Sequence, residues 1–467
     1  MKMWSGRFRQ PLDAEFERWQ RSFDFDRRLL RYELAASGAH AKALKNAGIL
    51  TADELISILQ GLEQIGKKAE ESAAFLKDES AEDVHHFVEK QLVGVIGELG
   101  YKLHSGRSRN EQIATDLRLY VRAAIDQLRE QLGELSGVFV DRAETAKDAA
   151  MPAYTHLQRA EPVLVGHWLL AYVEMFLRDA ERLADCRKRV NVCPLGSGAV
   201  AGATLSLDRG FMANNIGFDS ATANSIDATS DRDFAIEFVN ALSMLAAHLS
   251  RWAEEMILFS TQEYGFVALP EAYSTGSSAM PQKKNPDLLE LVRGKSGRVI
   301  GNATALIIAV KGLPLAYNKD LQETQQPVFE ASDALLQMLP LITGWMKVVE
   351  FNYERMQQSA GSGFMNAWAA ATYLVQRGVP SRLAHERIGK AVAMCIEKNC
   401  ELQDLPLDEL RALSPAFGED FYQSLTLASV LAVHDVPGGT APARVRQAIS
   451  AARKQIESLR EEVHAHA

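Results

Sequence analysis

Between Asp231 and Ser260 the chain carries neither proline nor glycine, and Phe234, Phe238, Leu242, Leu245 and Leu249 recur at steps of three and four. That is the spacing of one buried stripe on an α-helix, and such a helix runs about 45 Å. Similar periodic stretches cover 111–148, 162–191, 286–311 and 324–350. Shorter helices are predicted on either side of them. Gly38, Gly48, Gly61, Gly66 and Gly100 break the chain before residue 108, and Gly378-Val-Pro380, Pro406, Pro415 and Pro437-Gly-Gly439 break it after residue 355. Thr51 and Glu54 have the spacing of a capping box. Alternating β-branched runs are nearly absent. The fold class is therefore read as all-α, in three regions: an N-terminal helical domain (1–108), a central long-helix bundle domain (109–355) and a C-terminal helical domain (356–467).

Gly294, Gly297, Gly301 and Ala305 fall on one face of the predicted 287–311 helix. A glycine inside a helix costs about 1 kcal/mol relative to alanine. Three on one stripe, beside Val292, Ile300 and Leu306, predict that another helix backbone comes close there. Five long helices exceed what one small bundle needs, so some of their apolar faces are expected to meet other subunits in a homo-oligomer with a multi-helix core.

Composition narrows the function classes. The chain has 467 residues, 47% hydrophobic and 24% charged, which suits a large soluble core. Its 51 basic and 60 acidic side chains give a net charge of −9, which argues against nucleic acid or a membrane surface as partner. No apolar run approaches a bilayer span, and the first sixteen residues lack the apolar core of a signal peptide. Cys186, Cys193, Cys395 and Cys400 contain no CxxC pair. Cys395 and Cys400 are read as lying five apart on one helix and facing different ways. Free thiols and a cytoplasmic location are expected.

Four polar segments between helical stretches carry the candidate chemistry. Ser105-Gly-Arg-Ser-Arg-Asn110 precedes a helix, whose free N–H groups favour an anion; Arg109 suits a carboxylate gripped by two bonds, with Asn110 beside it. In Ala153–Pro162, His156 stands between two long helices with Thr155 and Gln158 next to it, and imidazole is the usual acid or base near neutral pH. It needs a carboxylate to orient it, and Glu290 is the candidate. Residues 274–285 form a loop with Gly276, Ser277 and Ser278 followed by lysines and an Asn-Pro helix entry. Lysines and helix-start N–H groups would stabilise an ionised serine, and the glycine lets the loop act as a lid. Leu315–Gln322 joins a phenol, an amide and a lysine ahead of another helix. Two further patterns fail: Gly196-Ser-Gly198-Ala-Val-Ala-Gly202 has its third glycine one residue late for a dinucleotide loop and no preceding strand, and His85-His86 with nearby acids meets no metal-ligand spacing.

The 274–290 segment contains GSSxMPxKxN, the pattern of the fumarase/aspartase superfamily, and the chain as a whole resembles the argininosuccinate lyase family. Met3-Trp-Ser-Gly-Arg-Phe8 is similar to the family's WGGRF stretch. Ser22–Leu29, Glu82-Asp-Val-His85, Ser108-Arg-Asn110, Thr155-His-Leu-Gln158, Ser230–Phe234 and Tyr317–Gln322 follow in family order. The ending Gln282–Asp287 favours this family over fumarase, aspartase or adenylosuccinate lyase.

The resemblance implies reversible cleavage of argininosuccinate to arginine and fumarate in arginine synthesis. It implies a homotetramer with a twenty-helix core and active sites shared between subunits. Ser277 would be the base, and Lys283 and Asn285 would hold the dianionic carbanion. His156, oriented by Glu290, would be the second catalytic residue. Ser22, Arg109, Asn110, Thr155, Tyr317 and Gln322 match substrate-contacting positions, with Asp83 and Lys319 as further candidates. No metal or organic cofactor is implied.

Three departures stand out. Thr324-Gln325 replaces the family's Asp-Lys, so Gln325 removes a charge that normally meets substrate. Glu161 stands before Pro162 where the family prefers glutamine, and Ser5 replaces a glycine. The competing readings are a sibling lyase for another amino-acid dicarboxylate, kept open by Gln325, and a structural protein that has lost catalysis. Retention of Ser277, His156, Lys283 and Glu290 weighs against the latter.

Overall fold

Five helices dominate the computed structural model, which describes residues 10–466; the Met3–Phe8 stretch and its Ser5 lie outside the described residues. The helices are Arg109–Thr145, Val165–Val190, Asp233–Ser260, Asp287–Val310 and Gln325–Val348. Each begins and ends within a few residues of a predicted periodic stretch. Phe238, Leu242, Leu245 and Leu249 are completely buried and Phe234 almost so, as the spacing required. Strands are short and paired in twos, so the molecule is all-α in class. No helix among the described residues is long and apolar enough to cross a membrane.

The chain forms two compact units. One holds the residues up to Gln127, Arg182–Ser243 and Arg298–Ala334, and the other Leu128–Glu181, Met244–Gly297 and the residues from Leu335. In the first, the helices Leu30–Asn46, Ala52–Glu71 and Val84–Ile96 pack together, with Leu44, Ile58 and Leu62 buried and Phe23 stacked 4.9 Å from Phe87. Thr51 caps its helix as predicted: its Oγ1 accepts from Glu54 N at 3.2 Å, while Glu54 Oε2 accepts from Thr51 N at 2.9 Å. In the second, Trp252 and Trp345 meet edge to face at 5.3 Å, a geometry aromatic quadrupoles favour. A satellite core of Tyr373, Phe417 and Phe421 lies in its C-terminal part.

Two expectations change. A Cβ built on Gly294, Gly297 or Gly301 meets nothing within 4 Å, so no helix among the described residues takes up the space the glycines leave. Leu291, Ile300, Ile307 and Ile308 on the same helix are also exposed. Cys395 and Cys400 do not share a helix. That helix, Ser381–Lys398, ends at Asn399 with φ 51°; Asn399 N donates to Ile396 O at 3.3 Å and Cys400 N to Cys395 O at 3.0 Å. This pair of bonds is a Schellman stop. It turns Cys400 back onto the apolar cluster that contains Cys395, and both remain free thiols.

Candidate active site

In the first unit, the Arg109 side chain is fixed by acids. Its helix starts on a partial capping box in which Asn110 N donates to Ser108 Oγ at 3.3 Å and Ser108 N to Glu111 Oε1 at 3.0 Å. The other Glu111 oxygen accepts from Gly198 N at 2.8 Å, so the glycine-rich 196–202 loop is tied to this helix start. Asn110 Nδ2 donates to Ala199 O at 3.4 Å. Arg109 Nη1 lies 3.1 Å from Asp83 and 3.5 Å from Glu82, and Lys319 Nζ reaches Glu82 at 3.5 Å.

Asp83 also caps the Val84–Ile96 helix, accepting from His86 N at 2.8 Å. Burial pushes its carboxyl up, but the Arg109 and His85 charges outweigh burial and hold it well below the usual range. Ser22 is buried, donates its N–H to Glu82 O at 2.9 Å and its hydroxyl to Asp26 at 2.6 Å. Burial and neighbouring Asp83 push the Asp26 carboxyl up to about 7. Gln322 donates to Gln20 O at 3.1 Å. Tyr317 is half-buried, and it follows Ala316 at φ 68°, a left-handed backbone that non-glycine residues adopt at a cost. A cavity of about 660 Å³ opens here, lined among others by Arg18, Arg21, Glu82, Lys90 and Arg109; that volume suits a small-molecule substrate.

The second unit carries the other candidates on two projecting pieces. Residues Ala150–Thr155 and Gln158–Leu164 form an antiparallel hairpin with Thr155 opposite Gln158. The two residues at its tip, His156 and Leu157, have φ of 56° and 57°. Two left-handed residues are what a type I′ turn needs, and glycine or asparagine normally supplies them. Here an imidazole and a leucine do, and Thr155 and His156 stand exposed. The hairpin's foot is anchored by Leu164 N donating to Thr440 Oγ1 at 2.8 Å. Glu161 pairs with His434 at 3.5 Å, so its extra carboxylate has a partner.

The serine loop closes on itself. Thr275 and Gly276 pair with Asn285 and Lys284, leaving 277–283 as the tip. Ser277 Oγ accepts from Ala279 N at 3.3 Å and Met280 N at 3.1 Å. Two N–H groups on one hydroxyl oxygen stabilise negative charge there. Asn285 Nδ2 reaches Thr275 Oγ1 at 3.4 Å and Gly276 O at 3.5 Å, and Thr275 hydrogen-bonds Asp287. Lys283 and Glu290 are exposed. No hydrogen bond or ion pair among the described residues joins His156 to Glu290 or to Ser277.

The structure shows groupings and burial that the sequence did not. Glu33, His85 and Asp116 are buried together, with potential ligand atoms all within 4.8 Å of one another. Burial opposes charge on His85, yet its 3.1 Å hydrogen bond to Asp116 and the nearby Asp83 carboxylate raise its pKa well above the ordinary value, while burial and Glu33 push the Asp116 carboxyl up. Gln325 is buried at the start of its helix with its carbonyl oxygen unpartnered. Arg232 is a third case, 1% exposed.

Comparison with known proteins adds the following. Residues 6–301 match the family model described as Lyase, and 364–432 match Argininosuccinate lyase C-terminal. The chain is 59% identical to the argininosuccinate lyase of Koribacter versatilis over the whole of both chains. It is 58% identical to that of Acidobacterium capsulatum, over 98% of this chain and 96% of the relative. Among solved structures, an EDDS lyase variant with bound fumarate matches with TM-score 0.84 at 26% identity, covering 98% of this chain and 93% of that one. A class II fumarase from Schistosoma mansoni shares the fold, with TM-score 0.73 at 16% identity over 85% and 90% of the two chains.

Proposed function

The chain belongs to the argininosuccinate lyase family, and on that footing we propose that it cleaves argininosuccinate reversibly to arginine and fumarate. The observation that carries this reading is the 59% identity to a curated argininosuccinate lyase with neither chain left uncovered. The enzyme is then a carbon–nitrogen lyase of arginine biosynthesis.

Ser277 is the proposed base. Ionised, its oxygen is held by the Ala279 and Met280 N–H groups and removes the proton beside a substrate carboxylate. The electron pair left on carbon spreads into that carboxylate, and Lys283 and Asn285 hold the dianion as its charge develops. The bond to the guanidinium nitrogen breaks, the pair forms the double bond of fumarate, and His156, oriented by Glu290, assists protonation of the departing arginine. Ser22, Arg109, Asn110, Thr155, Tyr317 and Gln322 bind substrate, with Asp83 and Lys319 fixing Arg109 and Glu82. No metal or organic cofactor enters this sequence of steps.

The proposed assembly is a homotetramer whose active sites take the 109, 155 and 277 segments from three different subunits. The uncovered glycine face of the Asp287–Val310 helix supports it, since close helix packing needs small residues and an apolar surround. The three regions 1–108, 109–355 and 356–467 are proposed as its domains. A cytoplasmic location accords with four free thiols.

The test is fumarate formation from argininosuccinate, followed by ultraviolet absorbance, with Ser277→Ala alongside. Release by the wild type that is lost in the variant supports both substrate and base. A folded wild type that releases none rejects the assignment. Gln325, which brings an amide where the family has a cation, favours a second reading: a lyase for another amino-acid dicarboxylate. Such substrates run in the same assay decide between the two.

A further inference from the structure

Asp26 is 1% exposed and ends the short helix Phe23–Asp26, which Ser22 precedes. Its Oδ2 accepts the Ser22 hydroxyl at 2.6 Å, and its Oδ1 accepts from Val84 N at 3.0 Å. The second bond ties this segment to the start of the Val84–Ile96 helix, which Asp83 caps. No ion pair among the described residues joins Asp26 to a cation. Burying a carboxylate on two hydrogen bonds costs more than burying an amide of the same shape. An asparagine would hold Val84 N equally well through its carbonyl oxygen. The tether to the helix therefore gives no reason for a charge here.

The bond to Ser22 does. A hydroxyl carries one proton and two lone pairs, and an ionised carboxylate can only accept. While Asp26 is ionised, the Ser22 proton is committed to it, and Ser22 has only lone pairs left to offer. Argininosuccinate presents N–H donors on its amino and guanidinium groups, whereas its carboxylates only accept.

We propose that Asp26 is a positioning residue that acts through Ser22: by taking the hydroxyl proton it makes Ser22 an acceptor, and so assigns Ser22 to the amine- and guanidinium-bearing half of the substrate rather than to the half that leaves as fumarate. This rests on the lyase reading above, in which Ser22 binds substrate. It gives a buried charge a task that the helix tether alone does not require.

Asp26→Asn reverses the polarity. The Val84 N–H needs an acceptor, so the amide oxygen stays with it and the amide NH2 faces Ser22, whose own proton is released to become a donor. The test compares Asp26→Asn, Ser22→Ala and the double variant as the full chain, at about pH 8.5. That is above the value of about 7 to which burial and Asp83 push the Asp26 carboxyl. The readouts are kcat and KM for argininosuccinate, inhibition constants for arginine and fumarate, and Tm. Asp26→Asn is expected to raise KM and the arginine constant about tenfold, with kcat nearly unchanged and the fumarate constant within about twofold. With Ser22→Ala already present, replacing Asp26 costs less than about twofold further, because the effect passes through the hydroxyl. A carboxylate that only tethers the helix would instead lower Tm and raise both constants together, which overturns the proposal. Additive losses in the double variant, or an unchanged arginine constant, overturn it as well. Should Asp26→Asn not fold, Ser22→Ala still decides, since weakened fumarate with unchanged arginine contradicts the assignment. A wild type that releases no fumarate rejects the lyase reading and this proposal with it, whereas a wild type that turns over beside an unaffected Asp26→Asn rejects this proposal alone.

Discussion

The two units hold their candidate residues in opposite ways. Around Arg109 charged and polar side chains are tied to one another: Asp83 and Glu82 grip the guanidinium, Lys319 grips Glu82, and Ser22 donates to Asp26. The serine loop and the His156 hairpin are instead held by backbone pairing, with side chains exposed or bound only to their own loop. A charged network shields its members from solvent and fixes geometry in advance, which suits binding. A backbone-framed loop leaves its side chains unpartnered until something arrives, which suits the role of base proposed for Ser277. The contrast teaches that stability and activity should separate by region.

The sharpest separation is expected at Ser277. Replacing it with alanine removes the proposed base, so fumarate release should fall at least about 10³-fold. The hydroxyl only accepts two N–H bonds within an exposed loop tip, so Tm should be nearly unchanged. A comparable loss of stability would erase the distinction between the two regions.

Asp83→Asn tests the other side. Its carboxylate is buried and paired with Arg109, with His85 close by. Removing one partner of a buried pair leaves an uncompensated charge and costs about 3–5 kcal/mol. Both Tm and kcat/KM should therefore drop, and denaturant unfolding with activity assays reads the two together. A variant that loses activity but keeps its stability would show that the network is not structural.

The sequence made parts of this contrast readable and hid others for physical reasons. Helix periodicity repeats over many residues, so the five long helices could be placed to within a few positions, and the Thr51–Glu54 cap is a purely local pattern. Polar residues between apolar stretches marked Arg109, His156, Ser277 and Tyr317 as candidates, because surface helices seldom break that way without reason. The hairpin was not legible: Pro152 and Pro162 interrupt any alternation, and a turn at His156-Leu157 has neither glycine nor asparagine to announce it. Arg232 looks like any other basic residue until its burial is known, and Glu33 and Asp116 are brought to His85 only by tertiary packing. The Cys395–Cys400 approach depends on a left-handed Asn399, one residue that decides where a helix stops.

Acid sensitivity should follow the wired region. His40 is fully buried, its Nε2 lies 3.0 Å from Ser105 O ahead of Arg109, and burial with the nearby Arg107 charge pulls its pKa down to about 3 from 6.5. A depressed histidine binds fewer protons folded than unfolded. Its stabilising contribution is therefore complete above pH 6.5 and is lost as pH falls from there toward 3, by up to about 1.4 kcal/mol per unit. His40→Gln keeps a donor for Ser105 without titrating, so its unfolding free energy should decline less steeply over that window. Parallel slopes for the two proteins would assign the acid sensitivity to other groups.

The smallest effect should come from the backbone-framed region, and its sign is the informative part. Leu157 is 67% exposed at φ 57°. A left-handed conformation costs an ordinary L-residue roughly 1–2 kcal/mol, and asparagine bears it better. Leu157→Asn should therefore stabilise the isolated chain by about 1 kcal/mol, since little burial is lost with the leucine. In the proposed tetramer the balance reverses if the leucine, held out on a strained turn beside His156, packs against a neighbouring subunit. If Tm rises at every protein concentration, the strain serves only to present His156. If it rises when the chains are dilute and dissociated but falls when they are assembled, Leu157 is an anchor, and the hairpin tip is held by another chain rather than by its own.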